Sequence, residues 1–177
     1  VPGASYHTTQ EAIDLRDEDQ NRFNGMGTLH AVSYINELIM PKIKGASISK
    51  QQEIDKWLSQ ADETKNKSRL GVNTILIVSQ LLAKANAHAL HIPLFKYINS
   101  LYKTMFGDEI PLDKIPTAIF NTINGVAHAN NSIDFQEFQI IPSSSLSFGT
   151  AYQKSVEIFY ELKKVLEYRN ATTAVGE

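Results

Sequence analysis

The chain lacks cysteine, and this absence excludes disulfide bonds and thiolate metal sites. It also lacks a long hydrophobic run, since no apolar stretch approaches the roughly 20 residues that a membrane-spanning helix needs. Neither sign of charge dominates, because 17 Lys and Arg stand against 19 Asp and Glu, for a net charge of -2. We therefore expect no nucleic-acid partner, no membrane association and a reducing, cytoplasmic compartment.

The hydrophobic content of the chain suffices for a packed core. The 177 residues are 42% hydrophobic and 20% charged, which is typical of one domain or of pieces of two. The sequence begins at Val1 without a methionine and stops at Glu177 without a helix end, so we expect an internal piece of a longer protein. Residues 103–114 have the composition of a linker, and we place a domain boundary near Asp113, between residues 1–113 and 114–177.

Apolar residues at helical spacing dominate the first part of the chain. Thr28 is a candidate N-cap for a first helix, which we expect to end at Pro41. Residues 71–92 are the most apolar stretch and predict a helix that is buried on most sides. Its two histidines, His88 and His91, are interpreted as packing residues rather than as ligands.

The second part of the chain predicts a β-hairpin followed by a helix. Residues 115–123 and 133–141 have strand character, and Asn124-Gly125 is a turn dipeptide because both residues tolerate positive φ. Ser147 is a candidate cap for an amphipathic helix that runs to about Tyr168.

Glu137 is the candidate for chemistry in this hairpin. The alternation of a strand places it in line with three apolar residues, Ile133, Phe135 and Ile141, on the side expected to face the core. A buried carboxylate needs a partner, and its desolvation would suit proton transfer. The alternative is a buried glutamate that is paired with Lys or Arg and only holds the fold. Gln136 is a second polar group that needs a partner.

Several motifs resemble the enolase (phosphopyruvate hydratase) family. Residues 121–142 read NTINGVAHANNSIDFQEFQIIP, which is similar to the family pattern Asn-x-Ile-Asn-Gly-Gly-x-His-Ala-Gly-Asn followed by Gln-Glu-Phe-x-Ile-x-Pro. Further motifs occur in the family's order: VPGAS and LRD near the start, NKSRLG at residues 66–71 with Asn73 after it, and TAVG at residues 173–176.

This resemblance implies a fold and a reaction. The fold would be a small α+β N-terminal domain, present mostly as its helices, followed by the opening antiparallel strands and first helix of a β/α barrel. The reaction would be the reversible dehydration of 2-phosphoglycerate, a phosphorylated three-carbon acid, to phosphoenolpyruvate in glycolysis. A lysine base and two Mg²⁺ ions serve this reaction in the family, and a homodimer or higher homo-oligomer is the expected assembly.

The resemblance also assigns roles to residues. His128, Gln136 and Glu137 would bind the substrate, with Glu137 near the departing hydroxyl, and Ser5 would reach the second Mg²⁺ from a mobile loop. In the family pattern the base lysine and the metal-binding carboxylates come after Glu177. We therefore expect this chain to be inactive by itself.

Departures from the family pattern keep other hypotheses open. Tyr6 replaces a threonine in the mobile loop, Val126 replaces the second glycine of the turn, and Asn130 replaces a glycine after His-Ala. These changes motivate a second hypothesis, an enolase-like protein that has lost activity and serves in binding or structure. A third is a related enzyme that acts on another carboxylate, although the His and Gln-Glu-Phe motifs disfavour it.

Overall fold

The chain divides into two compact units, residues 1–110 and residues 111–177. A computed structural model describes residues 11–125, 134–169 and 171. The first unit is helical in its described part, and the second combines a two-stranded sheet with one long helix. Both units follow the order of elements that the sequence predicts.

The first unit begins with an irregular segment that contains a short 3₁₀ turn, Phe23–Gly25. Its helices then follow in close succession. They are α1 (Leu29–Ser33), a π-helical stretch (Tyr34–Ile39), α2 (Met40–Ile43), α3 (Gln51–Asp62), α4 (Val72–Ala89) and α5 (Leu94–Phe106).

Pro41 does not end the first helix, contrary to the prediction. The chain stays helical from α1 through the π-helical stretch into α2, which contains Pro41. Just before the proline, the Met40 N–H donates to the Ile35 carbonyl five residues back, as in a π-turn. A proline ring normally clashes with the carbonyl four residues earlier, and a widened turn relieves that clash. The helix therefore accommodates the proline.

Asp17 caps the start of α1 from a distance in the sequence. Its carboxylate accepts hydrogen bonds from the backbone N–H groups of Leu29 and His30, both at 2.9 Å. The predicted cap, Thr28, precedes the helix but makes no side-chain capping bond. Burial raises the pKa of the Asp17 carboxyl, but the two N–H donors and the charges of His30 and Arg22 outweigh it and hold that pKa below 3.8.

A small apolar core holds the first unit together. Its buried members come from the π-helical stretch, α3 and α4: Ile39, Ile54, Leu58 and Val78. Helix α4 is less buried than predicted, since Leu81 is 57% exposed and both His88 and His91 are exposed. The buried residues of α4 are Asn73, Thr74, Val78, Asn86 and Ala87.

Membrane-spanning character is weak in the described part of the chain. No single helix there is long and apolar enough to cross a bilayer. Helices α4 and α5 meet the length and composition criteria only as a pair, which is bent by 106°.

The second unit consists of β1 (Phe120–Asn124), β2 (Glu137–Ile140) and α6 (Phe148–Tyr168). The strands pair antiparallel, as predicted, but both are shorter than expected. Ser147 caps α6, since its Oγ accepts a hydrogen bond from the Thr150 N–H at 3.2 Å, which confirms that prediction.

Candidate functional site

The register of the hairpin is interrupted once. The paired residues are Phe120 with Ile140, Asn121 with Gln139, Ile123 with Phe138, and Asn124 with Glu137. Thr122 is the extra residue at the irregularity, and its hydroxyl donates to the Phe138 carbonyl at 2.7 Å. Such a bulge changes which side chains share a face, and a strict alternation along the sequence misses it.

Asn124-Gly125 does not form the turn that the sequence predicts. Asn124 is the last residue of β1 and is buried, and the Gly125 N–H donates to the Gln136 carbonyl at 3.0 Å. The hairpin pairing therefore includes both residues of the dipeptide. The propensity of Asn-Gly for a tight turn is overridden by the pairing of the two strands.

One side of the hairpin packs on α6. The Phe120 ring meets the Tyr152 ring edge-on at 5.9 Å between centroids. Thr122 lines a small cleft together with Phe159 and Leu162 of that helix. Since residues that pair across strands share a face, Phe120 and its partner Ile140 lie on this side.

The other side carries polar groups and is called here the polar face of the hairpin. Its residues form two cross-strand pairs, Asn121 with Gln139 and Asn124 with Glu137. The Gln139 side-chain amide donates to Glu137 Oε2 at 2.6 Å, which shows that these two side chains lie on the same face. Amides and a carboxylate together can hydrogen bond the hydroxyl and carboxylate oxygens of a small acid.

Glu137 is exposed, so the expectation that it faces the core is wrong. Two of the apolar residues expected beside it are exposed as well, Phe135 at 72% and Ile141 at 63%. The reason is structural, because β2 begins only at Glu137 and α6 packs on the opposite face. Because Glu137 is exposed, burial does not desolvate its carboxylate, and desolvation gives no support to a role in proton transfer.

The other predicted site residues fall in different places. Gln136 is exposed, immediately precedes β2 and contributes its backbone carbonyl to the Gly125 pairing. His128 and Ser5 lie outside the described residues, so their predicted roles stay predictions. Sequence reasoning did not single out Asn121, Asn124 or Gln139. Only the cross-strand register places these three residues on one face with Glu137, and the bulge at Thr122 makes that register unreadable from the sequence.

The segment that follows the predicted mobile loop is tied to the start of α4. The Asn73 side chain pairs with the Leu15 backbone in both directions: its Oδ1 accepts from the Leu15 N–H at 3.0 Å, and its Nδ2 donates to the Leu15 carbonyl at 3.1 Å. Ile13 extends this pairing, since its N–H donates to the Asn66 carbonyl and its carbonyl accepts from the Val72 N–H, both at 2.8 Å. We call this arrangement the loop anchor.

Gly71 permits the close approach in the loop anchor. Its φ is +86°, a conformation that residues with side chains rarely adopt. A Cβ at this position would lie 2.5 Å from both Leu15 Cβ and Asn73 Oδ1. The Asn-Lys-Ser-x-Leu-Gly motif, noted only as a resemblance, thus has a physical role in the anchor.

Asp62 fixes the backbone immediately before Gly71 of the loop anchor. It is fully buried, and its Oδ2 accepts from the Leu70 N–H at 2.7 Å, next to Gly71. Its Oδ1 accepts from the Thr64 N–H at 3.1 Å and from the Thr64 hydroxyl. Burial raises the pKa of the Asp62 carboxyl, but these donors and the charge of Lys67 outweigh burial and hold the pKa below 3.8.

Mg²⁺ is the ion that the resemblance implies. Carboxylate oxygens are its preferred protein ligands. Within residues 11–125, 134–169 and 171, no group of three or more His, Asp or Glu side chains comes together. The described residues therefore do not build a Mg²⁺ site. The polar face of the second unit and the loop anchor of the first unit are two separate candidate features.

Comparison with known proteins decides the family. Residues 1–98 match the family model described as "Enolase, N-terminal domain", and residues 113–177 match "Enolase, C-terminal TIM barrel domain". The chain belongs to the enolase family. Two curated relatives named "Enolase" match all 177 residues, one from Ehrlichia canis (strain Jake) at 41% identity and one from Ehrlichia chaffeensis (strain ATCC CRL-10679 / Arkansas) at 39%.

The enolase assignment explains the order of elements. The helices of the first unit belong to the enolase N-terminal domain, and β1, β2 and α6 belong to the start of its barrel. This confirms the predicted fold class. The chain spans about 40% of the length of the two Ehrlichia relatives.

Proposed function

We propose that the complete protein catalyses the reversible, Mg²⁺-dependent dehydration of 2-phosphoglycerate to phosphoenolpyruvate, as a carbon–oxygen lyase of glycolysis. The observation that carries this proposal is the exposed carboxylate of Glu137 on the polar face, with Gln139 at 2.6 Å as its side-chain partner among the described residues. An exposed carboxylate held in place by an amide is available to a ligand. Glu137 also falls on the glutamate of the family's Gln-Glu-Phe motif.

In this proposal Glu137 assists departure of the substrate hydroxyl, and Gln136 and His128 bind the substrate. Ser5 approaches the second Mg²⁺ from the loop that precedes the anchor. The metal would be held by residues outside those described. The polar face supplies hydrogen bonds that orient a small phosphorylated acid.

The loop anchor has a positioning role in the same proposal. It fixes the backbone at Ile13 and Leu15 through four hydrogen bonds of 2.8 to 3.1 Å. A loop that moves during turnover needs a fixed attachment point, since hinge residues absorb the change while the base stays in place. We assign this attachment to the pairing of Leu15 with Asn73.

The test is the conversion itself. The protein expressed from its complete coding sequence is mixed with 2-phosphoglycerate and Mg²⁺, and the absorbance of phosphoenolpyruvate is followed. We expect product to form, and to stop forming when a chelator removes Mg²⁺. The 177-residue chain, assayed at the same concentration, is expected to form none.

Absence of product from the complete protein would favour the second hypothesis, an enolase-like binding or structural protein without activity. The substitutions at Tyr6, Val126 and Asn130 in the family motifs support this alternative. A binding measurement then separates the two hypotheses. An inactive protein that still binds 2-phosphoglycerate has kept the substrate shell, whereas loss of both activity and binding would remove the polar face from any enolase role.

Three further properties belong to the proposal. The boundary between the two domains lies near Asp113, the complete protein is a homodimer or higher homo-oligomer, and it acts in the cytoplasm. Light scattering coupled to size-exclusion chromatography tests the assembly, and a monomer at micromolar concentration would contradict it. Limited proteolysis tests the boundary, with cleavage expected between residues 107 and 114.

A further inference from the structure

Two exposed histidines lie side by side at the carboxyl end of α4. The ring centroids of His88 and His91 are 6.4 Å apart, and the ring planes are inclined by 48°. Within the described part of the chain, neither imidazole has a hydrogen-bond partner. The interpretation of these residues as packing groups is therefore wrong, and both rings are available to a ligand.

The backbone at His91 brings the two rings together. Helix α4 ends in a Schellman motif, in which the His91 N–H donates to the His88 carbonyl and the Ile92 N–H to the Ala87 carbonyl, both at 3.0 Å. His91 occupies the left-handed position of this motif with φ of +53°, where glycine is the usual residue. A strained non-glycine residue is a reason to look for a function of its side chain.

We propose that His88 and His91 form a binding site for a divalent transition-metal ion of the class that prefers imidazole, such as Ni²⁺, Cu²⁺ or Zn²⁺. Each ring supplies one nitrogen, and water completes the coordination. Metal–nitrogen bonds of about 2.0–2.1 Å require the rings to approach somewhat closer than they stand now. Both side chains are exposed and without hydrogen-bond partners in the described residues, so rotation about their side-chain bonds can achieve this approach.

The surrounding electrostatics act in both directions. The carboxyl end of an 18-residue helix carries partial negative charge, which favours a cation at this position. Lys84 lies one turn before His88 on α4, and its charge opposes binding. We therefore expect moderate affinity, with a strong dependence on the presence of both histidines.

This site is separate from the proposed Mg²⁺ chemistry. Mg²⁺ requires hard oxygen ligands in octahedral geometry, whereas imidazole selects later transition metals. A large excess of Mg²⁺ should leave occupancy of the histidine pair unchanged. Success or failure of the dehydration assay consequently has no bearing on this inference.

The test is a calorimetric titration of the protein with Ni²⁺ in a buffer free of chelators and in the presence of excess Mg²⁺. We expect one ion to bind at the pair. His88→Gln and His91→Asn should each weaken this binding at least about tenfold, since even loss of a group behind a metal ligand costs that much. Asparagine tolerates the left-handed backbone at residue 91, so the fold is preserved. His30→Gln, which changes an exposed histidine of α1, is the control and should leave this binding unchanged.

A second measurement localises the ion. Ni²⁺ is paramagnetic, so the imidazole resonances of His88 and His91 should broaden before those of the other histidines. The proposal would be overturned by any of three results: no such broadening, unchanged Ni²⁺ affinity in His88→Gln or His91→Asn, or an equal loss of Ni²⁺ binding in His30→Gln.

Discussion

Two carboxylates, one in each unit, lie in opposite environments. Asp62 is fully buried and accepts hydrogen bonds from the Leu70 N–H and from both donors of Thr64. Glu137 is exposed on the polar face, where the Gln139 amide is its side-chain partner among the described residues. A buried carboxylate whose two oxygens both accept hydrogen bonds from the protein stabilises a fold, whereas an exposed one with open positions can bind a ligand.

The position of each carboxylate in the fold decides whether protein donors occupy it or leave it open to a ligand. Asp62 lies where α3 ends and the chain turns toward α4, so backbone N–H groups converge on it. Glu137 begins a strand of which one face packs on α6, and its own side chain lies exposed on the other face. Burial and donor count, not residue type, separate the two cases.

The largest effect on stability is expected at the loop anchor. Gly71→Ala should destabilise the first unit by about 2–4 kcal/mol, because a Cβ adds both backbone strain and overlap with Leu15. Gly107→Ala is the matched control, since Gly107 has a similar φ of +87° but no neighbouring atom within 4 Å of the added Cβ. The control should lose only about 1 kcal/mol. Urea denaturation measures both, and equal losses would show that the approach to Leu15 is unimportant.

Asp62→Asn should lower the free energy of unfolding by about 1–3 kcal/mol, because one of the N–H donors around residue 62 would face the new amide NH₂. The effect depends on pH. The folded pKa of Asp62 lies below 3.8, so its stabilisation is complete above the unfolded value and is lost as the pH falls through the folded value. The difference between wild type and variant should therefore shrink below about pH 4. A difference that stays constant down to pH 2 would contradict the structural role of Asp62.

Thr122→Val tests the bulge on which the polar face depends. The variant keeps the side-chain shape but removes the hydroxyl that donates to the Phe138 carbonyl at 2.7 Å in a buried position. The expected loss is about 1 kcal/mol, near the net value of one hydrogen bond plus an unsatisfied carbonyl. Thermal unfolding followed by circular dichroism gives the value. A gain in stability would show that the hydroxyl does not hold the bulge.

Sequence reasoning captured the elements better than their surroundings. The helical stretch at residues 71–92 and the cap at Ser147 follow from local rules, and the structure shows both. The register of the hairpin did not follow, because the extra residue at Thr122 shifts the alternation. The expectation for Glu137 fails for a separate reason, because β2 begins only at Glu137 and α6 packs on the opposite face of the strand.

The loop anchor shows a second limit. Asn73 and Leu15 are 58 residues apart, and no local pattern reports that an amide on a helix will pair with a distant backbone. Burial of Asp62 is hidden for the same reason, since the donors that satisfy it come from the following turn. Motif resemblance located Leu15 and Asn73 in the sequence but not Asp62, and only the geometry shows what all three do.

We propose that the Glu137 carboxylate serves a ligand and not the fold. In the complete protein, Glu137→Gln should reduce turnover of 2-phosphoglycerate by about 100-fold or more, as for loss of a group that transfers a proton. Its free energy of unfolding should change by less than about 0.5 kcal/mol, because the residue is exposed. Glu157→Gln is the matched control, since Glu157 is also exposed and also accepts from a glutamine amide, at 2.8 Å from Gln153 on α6. Glu157→Gln should change neither the turnover nor the free energy of unfolding.

The decisive measurement follows turnover and denaturant unfolding of Glu137→Gln on one preparation. We predict a large loss of turnover in a protein whose free energy of unfolding is unchanged. Unchanged turnover would contradict it. A loss of turnover together with a loss of about 2 kcal/mol or more in the free energy of unfolding would also contradict it, because a loss of that size is typical when a buried charged partner is removed.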